Sequence, residues 1–254
     1  MIARLQNVQR RRVPSRPFPE SWQVVLHRNA SFRSRLDANR RERLDRAIVI
    51  FVDSCVWEGC GGLTVTDEHR ITIAAHAMRL TLGFDNDYFD DIDSVLLYPN
   101  AYEAPSKRNI GWSMVPEGFS SRLGDSWYHS PMILSWAYIS SSLESAYGPH
   151  NVIVHEFAHQ LDYRNGGDAD GVPPIESDEQ ASEWAYVMES AYERLCEENG
   201  RGQHDTIDVH AATSMAEFFA VTTELFFEAP LLLAKKWSDV FRIMQRFYNQ
   251  DPRM

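Results

Sequence analysis

Apolar positions recur at helical spacing along much of this chain and form short strand-like runs in only a few places. Residues 32–56 carry Phe32, Leu36, Leu44, Ala47, Ile48, Phe51 and Val52 with a helical period. Residues 70–82 read as a buried helix closed by Gly83, with His76 as a packed core histidine. Gly59 to Gly62 punctuates the chain, and residues 63–66 read as a short strand. Residues 95–98 are β-like and stop at Pro99 and Asn100, and 132–136 is another strand candidate. Residues 101–130, rich in Gly, Ser, Pro and aromatics, suit further strands and turns.

Residues 151–163 are apolar enough for a mostly buried helix, with Pro149 suited to its first turn and Asn165, Gly166 and Gly167 forming a left-handed stop. Ser177 and Gln180 have capping-box spacing and open a helix to about Glu198, with Gly200 as its stop. A further helix spans about 214–228 and ends at Pro230. The last covers about 236–249, with Trp237, Val240, Phe241, Met244 and Phe247 on its apolar face. The pattern predicts an α+β protein, mostly helical with a small mixed sheet.

Composition narrows the function classes. The chain has 254 residues, 44% of them hydrophobic and 12% aromatic, enough for a substantial core. Its net charge of -11 disfavours direct nucleic-acid binding, which needs a basic face. Basic residues gather at Arg4, Arg10, Arg11, Arg12 and Arg16, so residues 1–20 read as a flexible basic arm and 21–254 as the functional domain. The longest apolar run, 47–52, is too short for a membrane span, and the expectation is a soluble cytoplasmic protein. Cys55, Cys60 and Cys196 are too few and odd in number for a disulfide framework. The acidic stretch 84–93 lacks a calcium loop's glycine and has Phe89 at a ligand position, so it reads as a solvated loop.

The chemistry lies in the 151–163 helix. His155, Glu156, Phe157, Ala158 and His159 form an H-E-x-x-H run. Residues four apart share a helix face, so both imidazoles can reach one metal ion. Glu156 beside them can take a proton from water. Two histidines and a glutamate in so apolar a helix need polar partners, and a metal satisfies both rings at once. The pattern points to a zinc peptidase with one catalytic Zn2+.

Catalytic zinc takes three protein ligands and leaves a position open. Glu217, flanked by apolar residues on a second helix, is the best third ligand. Ser214 and Glu217 also have capping-box spacing, in which the carboxylate merely bonds backbone. The residues alone leave both readings standing, with Glu224 as the fallback ligand, a residue more often solvated or a supporting carboxylate. Asp162 either orients an imidazole or lies at the surface.

At this point the chain resembles the Mlc titration factor A family of zinc peptidases, over about residues 20–252. The likeness rests on the segments 155–166, 211–221 and 247–252, supported by 96–99 and 171–173. It implies a zincin-like, gluzincin-type domain related to the catalytic domain of anthrax lethal factor. In it His155, His159 and Glu217 hold zinc and Glu156 is the general base. It also implies limited peptidase activity, on the N-terminal residue of short peptides, and a partner: a Mlc-like transcriptional repressor of sugar-uptake genes, which such proteins sequester. The competing function is a partner-binding protein whose peptidase activity is secondary. One departure stands out. The family usually has a tyrosine seven residues before the ligand glutamate, and here that position is His210. A histidine there can donate to the oxyanion, bind the metal, or stand by.

Overall fold

The computed structural model describes residues 17–85, 89–100, 131–144, 148–166, 169–202 and 207–253. Most of the arm expected at 1–20, and the whole of the stretch 101–130 expected to hold strands and turns, lie outside the described residues. The chain forms two compact units that divide between Tyr138 and Ile139.

The first unit begins with α1 (Trp22–Asn29) and a short 3-10 turn (Ser31–Arg35). α2 (Ala38–Ser54) starts where the Asp37 carboxylate accepts the Arg40 amide, satisfying one of the orphan donors of a first turn. The stretch 32–56 with its helical period is therefore divided at Leu36, whose backbone is extended. It also ends early, because Val56–Gly59 is a strand, β1. Val56 and Trp57 are the β-branched and aromatic types a pleated surface favours. The strand expected at 63–66 does not form. Gly61 and Gly62 take left-handed angles of 61° and 84°, and the turn folds Leu63 back so that its amide donates to Cys60.

α3 (Asp67–Leu80) opens with a capping box between Thr66 and His69 and is buried from Ile71 through Leu80. A helix apolar around its circumference belongs in a core. His76 sits there as a packed histidine, its Nε2 2.7 Å from the Asn29 carbonyl at the end of α1. β2 (Ser94–Tyr98) and β3 (Met132–Ser135) complete a sheet in the order β1-β2-β3. Both pairings are parallel, in registers Val56↔Ser94 and Val95↔Met132. The expected mixed sheet is corrected to a parallel one among the described residues. Neighbouring strands stand far apart in the sequence, as parallel pairing requires, since a hairpin joins only antiparallel strands. Trp136, expected to end the strand, opens the helix α4 (Trp136–Leu143).

The second unit is helical. It holds α5 (Val152–Asp162), α6 (Asp178–Gly200), α7 (Met215–Glu228), α8 (Pro230–Lys236) and α9 (Ser238–Tyr248). α7 is its axis, with every residue from Glu217 to Phe227 buried. Phe218, Phe219, Phe226 and Phe227 are each at most 1% exposed, and each such side chain contributes roughly 1.5–3 kcal/mol by leaving water. Trp184 of α6 packs edge-on against Phe219, and Tyr248 of α9 stacks on Phe226 while its hydroxyl lies 3.0 Å from Thr223 Oγ1. Pro230 does not simply end a helix. It occupies the first turn of α8, where its missing N–H costs nothing. No helix among the described residues is long and apolar enough to cross a membrane.

Candidate metal centre

α5 starts three residues beyond Pro149, at Val152, behind the cap Asn151, whose side chain accepts the Val154 amide. Pro149 therefore precedes the helix rather than forming its first turn. The helix closes through a 3-10 turn onto Gly166, left-handed at φ 91°, the predicted stop. His155, Glu156 and His159 are all buried. His155 Nε2 and His159 Nε2 lie 3.2 Å apart, as the four-residue spacing requires.

α7 brings the carboxylate. Ser214 caps it by accepting the Glu217 amide at 3.2 Å, so the capping spacing is used by the backbone. The Glu217 carboxylate goes elsewhere. Its Oε2 is 3.2 Å from His155 Nε2, and its Oε1 is 3.6 Å from His159 Nε2. His155, His159 and Glu217 form a buried group whose donor atoms lie within 4.8 Å of one another. Burial alone would raise the Glu217 pKa, but the two α5 imidazoles outweigh it and hold the carboxyl well below its usual range. Burial likewise opposes a charge on His155, and Glu217 with Glu224 overcomes it, so its pKa lies well above the ordinary value. The group is thus arranged around positive charge.

His210 borders this group from a 3-10 turn (Val209–Ala212). Its Nε2 is 3.0 Å from Glu217 Oε2, yet both atoms are buried without an aligned hydrogen bond. Buried polar atoms left unpaired usually mark a missing partner. Two imidazole nitrogens and a carboxylate oxygen are a donor set that suits zinc and similar transition ions. The residues present therefore fit a metal. His210 is not in the set of mutually close donor atoms.

The surroundings hold features that sequence reasoning missed. Asp162 does not lie at the surface. It is fully buried and accepts the Gly171 amide at 2.8 Å and 3.1 Å, and burial pushes its carboxyl up to about 6. Gly171 joins three elements: its amide meets Asp162 at the end of α5, and its carbonyl accepts Trp184 Nε1 of α6. A Cβ at Gly171, already left-handed at φ 83°, would lie 2.6 Å from the Met215 carbonyl oxygen of α7. Only glycine fits there. His150 also escaped notice. It stands 3.8 Å from Glu224 and 3.8 Å from Asp208, and Asp208 in turn accepts the His210 amide. Its one sequence signal is a place just before the motif helix.

Residues 5–249 match the family model described as glucose-regulated metallo-peptidase M90. An uncharacterized protein of Synechocystis is 33% identical over 93% of this chain and 86% of its own. Proteins named Mlc titration factor A are similar too. That of Serratia proteamaculans is 33% identical over 75% of this chain and 72% of its own, and that of Yersinia enterocolitica 34% over 75% and 70%.

Proposed function

The chain belongs to the glucose-regulated metallo-peptidase M90 family, and on that premise we propose that it is a zinc-dependent peptidase acting on the N-terminal residue of short peptides. The observation that carries the reading is the buried His155, His159 and Glu217 group with an unpaired carboxylate oxygen. These three residues would hold the ion. Zinc there supplies Lewis acidity, lowering the pKa of water toward about 7. Glu156, next to His155 on the same helix, accepts the proton as water attacks the peptide carbonyl and returns it to the leaving amine. A structural zinc site has no use for that buried carboxylate and is usually closed by four cysteine-rich ligands.

His210 takes the place of the family tyrosine as a donor to the oxyanion. Its position supports this: it abuts Glu217 but stays outside the close donor set. Removing one such donor costs about 10²–10³ in kcat. His210→Ala is therefore expected to lower kcat on that scale while metal content stays at the wild-type level. Unchanged turnover would remove His210 from the mechanism.

The restriction to N-terminal residues rests on the family resemblance. It is tested with fluorogenic peptides carrying a free or an acetylated amino terminus. Cleavage of the free peptides and at least tenfold slower cleavage of the acetylated ones is expected. Equal rates would make the protein an endopeptidase.

A second reading rests on the name of the similar Serratia and Yersinia proteins, Mlc titration factor A. Here the chain binds a Mlc-like repressor in the cytoplasm, with hydrolysis secondary. A protein that holds zinc, cleaves none of the peptides and retains a purified Mlc-type repressor on a column would favour it.

A further inference from the structure

Glu224 is a buried carboxylate beside the centre that the proposed chemistry does not use. It lies on α7, seven residues after Glu217 and so about two turns along the same face. Its side chain is 6% exposed. Its Oε1 is 2.8 Å from His155 Nδ1, and its Oε2 accepts the Asn151 amide at 2.6 Å. One helix therefore brackets one imidazole: Glu217 faces Nε2 and Glu224 faces Nδ1. The same Asn151 is the cap of α5, and its side-chain amide donates to Glu228 at 2.9 Å, one turn beyond Glu224.

An ionised carboxylate buried to this degree costs several kcal/mol unless donors satisfy it. Here the ring N–H and the cap amide do so. We infer that Glu224 is the positioning residue of the metal centre, fixing the His155 tautomer with its proton on Nδ1 and holding the helix that carries both histidines in register with Glu217. The consequence is chemical as well as geometric. A proton held on Nδ1 leaves the Nε2 lone pair free for an ion, and the adjacent anion makes that nitrogen a stronger ligand. Glu228 grips the same cap without touching the ring, so it shares the mechanical task and not the electronic one. The inference rests on the metal-centre reading above.

The test measures zinc affinity by competition with a chelator, and the visible absorption of the cobalt-substituted protein, for wild type, Glu224→Ala, Glu224→Gln and Glu228→Ala. Loss of a carboxylate that supports a ligand histidine typically weakens metal binding 10–100-fold. Glu224→Ala is expected to fall in that range with an altered cobalt spectrum. Glu224→Gln keeps the size and one acceptor oxygen, so it is the more conservative fold and is expected to lose about tenfold. Glu228→Ala is expected to bind zinc within about twofold of wild type, its ring partner being intact. Wild-type affinity and spectrum in either folded Glu224 variant would overturn the role. An equal loss in Glu228→Ala would overturn it too, reducing Glu224 to part of a helix cap. A wild-type protein that takes up no ion would instead sink the metal centre itself and this role with it.

Discussion

Glu156→Gln is expected to slow peptide hydrolysis by about 10²–10⁴-fold, the usual contribution of a positioned general acid–base. The exchange keeps the side chain's size in a buried position, where only 7% of the residue is exposed. It removes the one property the mechanism needs, a carboxylate that can take and return a proton. Zinc content is expected to stay at the wild-type level, because the group that would hold the ion is His155, His159 and Glu217. Rates at saturating substrate, with metal measured on the same samples, separate the two quantities. A variant that retains zinc and full turnover would show that another group moves the proton.

Glu217→Gln is expected to weaken zinc binding by more than the 10–100-fold typical of losing a supporting partner, since it neutralises a ligand rather than a neighbour. The carboxylate is the negative charge that faces both histidines, at 3.2 Å from His155 and 3.6 Å from His159. An amide oxygen is a poorer ligand for zinc than a carboxylate, and it leaves the imidazoles without that countercharge. Ser214 would still cap α7, because the bond it accepts comes from the backbone of residue 217. Helical content is therefore expected to hold while the metal is lost on mild chelation. Zinc affinity equal to wild type, by chelator competition, would return Glu217 to the role of a capping residue.

That double use of one position explains what the sequence could and could not tell. The motif helix was legible because its pattern is local: the two histidines sit one turn apart, and the surrounding apolar run buries them. Glu217 was ambiguous because Ser-x-x-Glu spacing serves a cap and a ligand alike, and only the fold shows that the backbone amide takes the cap while the side chain turns to the two histidines. Asp162, His150 and Asp208 find partners 9, 58 or 74 residues away, through Gly171 in the first case and across the second unit in the others. No periodicity encodes such meetings. β1 was hidden for another reason. Val56 and Trp57 continue an apolar helical run, and a short apolar stretch does not declare its own period. Pro230 misled because a proline that ends one helix is equally suited to begin the next.

The central claim is that His155, His159 and Glu217 hold one catalytic ion. It is tested most directly by the metal stoichiometry of the purified protein, with hydrolysis of aminoacyl fluorogenic substrates followed before chelation, after it, and on return of zinc. The account predicts one zinc ion per chain, loss of hydrolysis with the metal, and recovery with a single equivalent. Full activity in the metal-free protein, or no stoichiometric ion in an active preparation, would contradict it.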